Sequence, residues 1–272
     1  MINIIAEIGI NHNGDIQIAL NMLDKAKECG VTHVKFQKRN PDVCVPEHQK
    51  NQPKSTPWGE MTYLQYKYDI EFGLEEYQQI DKRCKELNIE WFVSVWDLDS
   101  VDFIHTHFPD SIIKIPSAKA VDYDLITRCK QQFNKVIIST GMCTRNEIEK
   151  IVELFQNEKH KLVLLHTVSA YPAPVEVLHI NTLDYLKTFD VEIGYSSHEQ
   201  TILVAPATVY KGVNWIERHF TLDNNMWGTD QSASSNPADL KQLIEYTRML
   251  ESTLGMRTDV LECEKNNLKK MR

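Results

Sequence analysis

Short runs of β-branched and other apolar residues alternate with stretches of helical spacing along almost the whole chain. Eight such runs read as buried strands: Ile4–Ile8, His33–Phe36, Trp91–Val95, Ile112–Ile115, Val136–Ser139, Leu162–His166, Val191–Tyr195 and Trp215–Glu217. Strands that alternate with helices form a parallel sheet, and eight parallel strands close into a barrel. The pattern therefore predicts a (β/α)₈ TIM barrel. An open, doubly wound sheet is the alternative, and it is disfavoured because no GxGxxG segment follows the first strand.

The stretches between the strands carry the spacing and the end signals of helices. Helical spacing is found in Ile16–Cys29, Leu74–Leu87, Asp122–Gln132, Thr144–Phe155, Thr201–Tyr210 and Pro237–Leu254. Thr144 and Glu147 form a capping-box pattern, and Gly30 and Gly255 stand where helices are expected to stop. We expect one catalytic barrel over residues 1–258, followed by a basic C-terminal tail over residues 259–272.

Length and composition agree with a barrel domain and exclude several classes of protein. A chain of 272 residues suits this fold, which typically takes about 250 residues. The net charge of −8 is not that of a protein with a basic surface for binding nucleic acid. The sequence has no apolar run of transmembrane length, and its six cysteines are scattered without CxxC spacing. We therefore expect a cytoplasmic protein with reduced thiols that binds neither membrane nor nucleic acid.

Two polar segments interrupt the alternation. Asn40–Glu71 is a long insertion after the second strand, and Asn224–Asn236 precedes the last predicted helix. Loops this long inside a compact domain are usually functional, often as active-site lids. The insertion also carries four aromatic residues, which either cover the barrel mouth or pack against its rim: Trp58, Tyr63, Tyr66 and Tyr68.

Lysines inside the predicted strands need anionic partners, because a buried charge is costly unless it is paired. Lys35 and Lys114 both lie between apolar residues near the carboxyl ends of their strands, where barrel enzymes carry their sites. One interpretation is a structural salt bridge inside the barrel. The other is a cradle for a phosphate and a carboxylate, which the hydroxyl groups at neighbouring strand ends favour. These hydroxyl groups belong to Ser94, Ser117, Ser139, Ser169, Tyr171 and Ser196.

Two histidines end the last two predicted strands. Because these strands are neighbours in a barrel, the imidazoles of His198 and His219 are expected to converge. Two neutral imidazoles with open positions suit Mn²⁺, Mg²⁺, Fe²⁺ or Zn²⁺. Two satisfied core histidines are the alternative. Glu7 and Asp230 are candidates for nearby carboxylate ligands, or for an acid or base.

A series of short motifs in order along the chain resembles the sialic acid synthase family. The motifs run from residue 4 to about residue 255, which is nearly the whole chain. They are Ile5–Gly14, Lys35–Gln37, Lys114–Ser117, Ser139–Met142, Leu165–Thr167, Tyr171–Pro172, Gly194–His198 and Glu217–Leu222.

The resemblance implies a condensation of phosphoenolpyruvate with the aldehyde of N-acetylmannosamine or a related sugar. Phosphate would leave with C–O cleavage, and a 2-keto-3-deoxy acid would form. The resemblance makes His198 and His219 ligands of a divalent metal, with Mn²⁺ favoured and Mg²⁺ or Co²⁺ as alternatives. It makes Glu7 a proton-transfer candidate and Asp230 a sugar contact. It assigns phosphoenolpyruvate to Lys35, Lys114, Ser117, Ser139 and Ser196, and the sugar to Gln37 and Tyr171.

The chain departs from the family pattern at several points. Lys119 stands where the family commonly has a glutamate, so we expect an extra contact to phosphate or to a substrate carboxylate. Ser169 replaces an asparagine, and Ser94 is followed by Val95 where the family has a second hydroxyl group. The family's C-terminal antifreeze-like domain is not found after the barrel. The resemblance therefore implies either a homodimer of barrels or a separate antifreeze-like-domain protein as partner.

Three other functions are compatible with the sequence. A synthase of another 2-keto-3-deoxy acid would use a shorter or unacetylated aldose. A non-catalytic barrel would partner a full-length synthase, but it would not need Glu7, Lys35, Lys114, His198 and His219 together. A metal-dependent aldolase or sugar isomerase would not need two phosphate-facing lysines with several serines.

Overall fold

A computed structural model describes residues 1–109 and 112–272. Its strands are β1 (Asn3–Gly9), β2 (His33–Lys38), β3 (Pro53–Thr56), β4 (Gly59–Thr62), β5 (Glu90–Val95), β6 (Ile113–Ile115), β7 (Val136–Ser139), β8 (Leu162–His166), β9 (Glu192–Ser197) and β10 (Trp215–His219). Eight of them close into a parallel barrel in the order β1-β10-β9-β8-β7-β6-β5-β2. The predicted (β/α)₈ barrel is confirmed, and all eight predicted strands are present with small shifts at their ends.

Helices surround the barrel and fill the insertion. They are α1 (Ile16–Cys29), α2 (Pro41–Cys44), α3 (Glu47–Lys50), α4 (Tyr63–Asp69), α5 (Leu74–Leu87), α6 (Leu98–His107), α7 (Tyr123–Gln132), α8 (Arg145–Leu154), α9 (Thr182–Lys187), α10 (Val204–Ala207), α11 (Pro237–Glu251) and α12 (Lys265–Met271). The sequence patterns did not predict α6 or α9. The predicted end signals hold at α1, where Gly30 has a φ of 94°, and at α8, where Thr144 and Glu147 form a capping box.

Two predicted helix boundaries are wrong. The segment Thr201–Tyr210 contains α10 and then a 3₁₀ turn over Thr208–Lys211. The ring of Pro206 would clash with the carbonyl group four residues earlier, so a regular helix does not extend back to Thr201. Helix α11 ends at Glu251 and not at Gly255. After Glu251, two backbone N–H groups donate to the carbonyl groups three residues earlier, at 3.0 and 3.2 Å. This 3₁₀-type turn ends the helix without a left-handed glycine.

The interior of the barrel changes from apolar to polar along its axis. Inside the strands lies a plug formed by Ile5, Phe92, Ile137, Val163, Leu165 and Trp215. Side chains that face the same way recur at every second residue of a strand. Two positions after the plug residues Ile5, Phe92, Ile137 and Trp215, the inward-facing residues are Glu7, Ser94, Ser139 and Glu217. The apolar plug thus closes the barrel at one end, and a polar cavity opens at the carboxyl ends of the strands.

The insertion at residues 40–71 is folded. It contains α2, α3, the antiparallel hairpin β3–β4 and α4. Trp58 and Tyr66 both pack edge-to-face on Trp227, with ring centroids 5.3 and 5.6 Å apart. Of the predicted aromatic cluster, Tyr66 is buried, whereas Tyr68 is exposed and donates a hydrogen bond to Asp42 at 2.5 Å. The insertion is therefore attached to the loop before α11, beside the mouth of the barrel.

The six cysteines are free thiols, three of them buried. No helix within the two described ranges is long and apolar enough to cross a membrane.

Candidate active site

A cavity of about 380 Å³ opens at the carboxyl ends of the barrel strands. Every residue that the sequence predicted for the site lines this cavity, with the exception of Lys119. The lining residues from that prediction are Glu7, Lys35, Gln37, Ser94, Lys114, Ser117, Ser139, Ser169, Tyr171, Ser196, His198, His219 and Asp230. Their separation in sequence and their common location follow from the barrel, which gathers the carboxyl ends of all its strands at one face.

Four buried charged residues form an ionic quartet at the floor of the cavity. Lys35 Nζ lies 2.5 Å from Glu7 Oε2 and 3.9 Å from Glu217 Oε1. Lys114 Nζ lies 2.5 Å from Glu217 Oε1. The anionic partners expected for Lys35 and Lys114 are therefore Glu7 and Glu217. The quartet is neutral as a whole, which is what makes its burial at the end of an apolar plug tolerable.

The burial of the quartet shifts the pKa values of two of its members. Burial lowers the pKa of Lys114 to about 8, against the attraction of Glu217. Burial alone would raise the pKa of Glu217, but Lys114 and then Lys35 outweigh it and hold that pKa below its usual range. Glu217 is therefore ionised at neutral pH, and Lys114 is mostly protonated.

Hydroxyl groups surround the quartet. Ser94 Oγ accepts a hydrogen bond from Lys35 at 2.7 Å, and Ser196 Oγ donates to Glu217 at 3.1 Å. The hydroxyl groups of Ser139 and Ser169 are buried and have no hydrogen-bond partner among the described residues. Buried hydroxyl groups are nearly always paired in native proteins, so these two are available to hydrogen-bond with a molecule that enters the cavity.

Gly141 allows the backbone to approach two of these serines. A Cβ atom at this position would lie 2.3 Å from Ser169 Oγ and 2.7 Å from Ser117 Oγ. Both distances are too short for a real side chain, so the residue after Ser139 and Thr140 must be a glycine if the two hydroxyl groups are to keep their positions.

The two histidines lie side by side as the sequence predicted, with ring centroids 5.5 Å apart. The Nδ1 atom of His198 lies 2.8 Å from the carbonyl oxygen of Val168, which assigns its proton to Nδ1 and leaves the Nε2 lone pair free. Burial, together with the neighbouring His219, lowers the pKa of His198 to about 3, so its imidazole is neutral at physiological pH. His219 Nδ1 is buried without a hydrogen-bond partner in the described part of the chain.

Polar groups at the rim come from loops as well as strands. Gln37 Nε2 donates to Glu7 Oε1 at 3.0 Å. The ring of Tyr171 lies 4.2 Å from that of His198, between centroids. The carboxylate of Asp230 accepts a hydrogen bond from Thr229 at 2.7 Å. The entrance of the cavity thus carries an amide, a phenol and a carboxylate.

Lys119 is not brought into the cavity. Its backbone N–H donates to the carbonyl of Pro116 at 2.8 Å, which closes a 3₁₀ turn after β6. This turn directs its Nζ to Asp122, at 3.4 Å from Oδ2. The expected extra contact from Lys119 to a phosphate or a carboxylate therefore has no support in this placement.

Three charged or aromatic residues of the cavity lining were not anticipated from the strand ends: Arg39, Lys67 and Trp96. Glu217 was recognised as a strand-end residue, two positions before His219 on the same face of β10, but no role in the site was assigned to it from the sequence. Arg39 and Trp96 directly follow β2 and β5, so reading one residue further at each strand end would have included them. Lys67 lies on α4 in the insertion, and no strand-end signal indicates it.

A closed (β/α)₈ barrel with a buried polar cavity at the carboxyl ends of its strands has the architecture of barrel enzymes. Within that class, the chain belongs to the NeuB family, whose sequence profile matches residues 22–259.

Named relatives of the chain are synthases of sugar acids. The N,N'-diacetyllegionaminic acid synthase of Campylobacter jejuni is 33% identical over 93% of this chain and 77% of its own length. The human N-acetylneuraminate-9-phosphate synthase is 32% identical over 96% of this chain and 74% of its own. A solved N-acetylneuraminic acid synthetase from Leptospira borgpetersenii superposes with a TM-score of 0.87 at 28% identity, over 99% of this chain and 90% of that one. The resemblance to the sialic acid synthase family is therefore confirmed, and the chain is a sialic acid synthase-like enzyme.

Proposed function

We propose that this enzyme condenses phosphoenolpyruvate with an aldose to give a sialic-acid-like 2-keto-3-deoxy acid and phosphate. The observation that carries the proposal is the ionic quartet, with unpaired serine hydroxyl groups and two adjacent histidines that line the same cavity. A phosphate and a carboxylate on one small molecule match two ammonium groups and several hydroxyl donors in one cavity.

Lys35 and Lys114 would hold phosphoenolpyruvate through its anionic groups, and Ser139 and Ser169 would donate the hydrogen bonds that they now lack. When an anion binds, the lysines exchange part of their contact with Glu7 and Glu217 for contact with the ligand. Glu7 then has a less fully paired carboxylate beside Gln37, where it can hold or move a proton of the acceptor sugar.

His198 and His219 fit the requirements of a divalent metal site, with Mn²⁺ as our proposed ion and Mg²⁺ or Co²⁺ as alternatives. Both imidazoles line the cavity, and the free lone pair of His198 and the unpaired His219 are available for coordination. The described residues offer no cluster of three or more metal-ligating side chains. Two protein ligands would leave open positions for substrate oxygens. A bound divalent ion supplies Lewis-acid polarisation of an aldehyde oxygen.

The acceptor is proposed to be N-acetylmannosamine or a related aldose. Gln37, Tyr171 and Asp230 at the rim provide donors and acceptors for sugar hydroxyl groups. A different aldose, which would give a different 2-keto-3-deoxy acid, is compatible with the same cavity, because the named relatives make different sugar acids.

The decisive experiment measures consumption of phosphoenolpyruvate and release of phosphate with a panel of aldoses, with and without Mn²⁺. We expect stoichiometric loss of phosphoenolpyruvate and gain of phosphate that require both an aldose and the metal. If the folded protein with metal releases no phosphate with any aldose of the panel, the proposed function is wrong.

The lowered pKa of Lys114 predicts a basic limb in the pH profile. Lys114 is protonated below about pH 8 and loses its proton above it, so the attraction for phosphoenolpyruvate is present at neutral pH and fades as the pH rises through that value. We expect kcat/KM for phosphoenolpyruvate to fall about tenfold per pH unit above the transition. In Lys114→Arg, whose guanidinium does not titrate in this range, any remaining activity should lack the limb. A limb that persists unchanged in this variant would contradict the assignment.

A further inference from the structure

A chain of side-chain contacts leads from Arg39, directly after β2, to the ionic quartet. The guanidinium of Arg39 donates to Gln37 Oε1. Gln37 Nε2 donates to Glu7 Oε1 at 3.0 Å, and Lys35 Nζ lies 2.5 Å from the other carboxylate oxygen of Glu7. Arg39 lines the same cavity, but neither the strand pattern nor the proposed reaction gives it a role.

The amide of Gln37 has one acceptor end and one donor end, and its two neighbours fix which way it points. A guanidinium only donates hydrogen bonds, and an ionised carboxylate only accepts them. The orientation with Oε1 toward Arg39 and Nε2 toward Glu7 satisfies both neighbours. A flipped amide would place donor against donor at Arg39 and acceptor against acceptor at Glu7. If Arg39 were removed, only the contact with Glu7 would oppose that flip.

Arg39 is itself held from two further directions. Its backbone N–H donates to Glu71 Oε1 at 3.1 Å, and the same carboxylate pairs with Lys38 at 2.9 Å. Its guanidinium lies 4.3 Å from the ring centroid of Trp96, the residue that follows β5. A guanidinium stacked on an aromatic face keeps the N–H groups at its edge available as donors. The donor that Gln37 requires is therefore in place before any substrate enters.

The backbone of β1 packs closely against the hydrogen bond between Gln37 and Glu7. A Cβ atom at Gly9, whose φ is 56°, would lie 2.9 Å from Glu7 Oε1 and 3.1 Å from Gln37 Nε2. Both distances are tighter than ordinary contacts of a side chain, so a glycine leaves room for this hydrogen bond. A displaced Gln37 side chain finds little space on the side of Gly9, and rotation of its amide is the easier disturbance.

We propose that Arg39 is a positioning residue for the acceptor half of the reaction. It holds the Gln37 amide in the orientation that donates to Glu7, and so keeps the Glu7 carboxylate where it can hold or move a proton of the aldose. The inference rests on the proposed synthase function and assigns to Arg39 no contact with either substrate. A reacting group displaced by about 1 Å can cost about a hundredfold in rate. Loss of Arg39 should therefore affect kcat, and not the binding of phosphoenolpyruvate.

The test is a double-variant cycle at Arg39 and Gln37. It measures kcat and both KM values for the consumption of phosphoenolpyruvate with the aldose that gives the fastest turnover. Arg39→Met, which keeps an unbranched side chain against Trp96, should lower kcat at least about tenfold and leave the KM for phosphoenolpyruvate unchanged. In a Gln37→Met background, the same substitution should lower kcat no further, because Arg39 acts through Gln37.

A chemical rescue separates the donor from the fold. Guanidinium chloride at millimolar concentration should raise the kcat of Arg39→Ala, because the free ion can occupy the vacated place on Trp96 and donate to Gln37. Sodium chloride at the same concentration should not. Arg39→Lys, which keeps a cationic donor, should retain part of the kcat that Arg39→Met loses.

Lys54→Met is the matched control. Lys54 is also a half-buried cation over an aromatic ring, with its Nζ 5.4 Å from the ring centroid of Tyr66, but it does not line the cavity. This variant should keep kcat and both KM values.

The side-chain amide of Gln37 also gives a readout that does not depend on turnover. Its nuclear magnetic resonance signal, in protein with isotope-labelled glutamine, is identified by its loss in Gln37→Met. The signal should move in Arg39→Met and stay in place in Lys54→Met. A signal that stays in place in Arg39→Met would show that Arg39 does not set the amide, and the inference would be wrong.

The kinetic outcomes that overturn the inference differ from those that overturn the function. An equal decrease in kcat from Arg39→Met with and without Gln37 would mean that Arg39 contacts a substrate directly. A raised KM for phosphoenolpyruvate at unchanged kcat, or no rescue by guanidinium, would also remove the positioning role and leave the synthase function standing. If the unmodified protein consumes phosphoenolpyruvate with no aldose of the panel, the proposed function fails and the inference fails with it.

Discussion

Replacement of His198 or His219 by alanine is expected to lower kcat about a thousandfold, which corresponds to about 4 kcal/mol of transition-state stabilisation. The two imidazoles line the cavity side by side, and the hydrogen bond of His198 Nδ1 to the Val168 carbonyl holds its free nitrogen toward that cavity. A single remaining histidine would bind a divalent ion too weakly for turnover at micromolar metal. Steady-state kinetics and titration of each variant with Mn²⁺ measure both effects.

The control for these variants is His166→Gln. His166 also ends a barrel strand, but it hydrogen-bonds to the Leu178 carbonyl at 2.6 Å and does not line the cavity. It should bind Mn²⁺ as the unmodified enzyme does. Turnover at the unmodified rate in His198→Ala or His219→Ala, still sensitive to a chelator, would show that the metal lies elsewhere.

Lys114→Met is expected to lower both activity and stability. Activity falls because one of the two ammonium groups for phosphoenolpyruvate is lost, and we expect at least a hundredfold decrease in kcat/KM, about 3 kcal/mol. Stability falls because Glu217 loses its cationic partner at 2.5 Å and keeps, among the described residues, the more distant Lys35 at 3.9 Å and the hydroxyl group of Ser196. Breaking a buried pair from one side costs about 3–5 kcal/mol, which unfolding in urea would measure.

The double variant Lys114→Met/Glu217→Gln separates the two effects. It removes both charges of the pair, so most of the stability should return while the activity stays low. Recovery of activity together with stability would mean that Lys114 serves only the structure. That result would favour the salt-bridge interpretation of the strand lysines over the substrate cradle.

The fold was predictable because the barrel is specified by repetition. Each strand is a short apolar run, and each of the eight runs was found in the place predicted for it. The insertion was harder to predict, because the hairpin β3–β4 and helix α4 depend on local turn and cap residues such as Gly59 and Thr62, and not on apolar periodicity. Helix α6 was missed for a similar reason. It is set by Asp97, which accepts a hydrogen bond from the backbone of Ser100 at 2.8 Å.

The site was predictable wherever its residues lie on strands. Lys35 and Lys114 lie within β2 and β6, whereas His198 directly follows β9 and His219 ends β10. A parallel barrel brings the carboxyl ends of all its strands together. Arg39 and Lys67 were not predicted, because their position depends on how the segment after β2 and the insertion pack on the mouth. Lys119 was expected in the site because it stands where the family commonly has a glutamate, but the 3₁₀ turn Ser117–Lys119 directs it to Asp122.

The pairing that closes the barrel has a consequence for biosynthesis. Strand β1 pairs with β10, and Glu7 lies in register with His219. One wall of the catalytic cavity is thus formed by two residues that lie more than two hundred positions apart in the sequence. Contacts between residues so far apart in sequence form slowly, and the barrel cannot close before β10 has left the ribosome, so the edges of β1 and its neighbours stay unpaired until then. A chaperone that shields those edges until β10 emerges would therefore raise the yield of active enzyme.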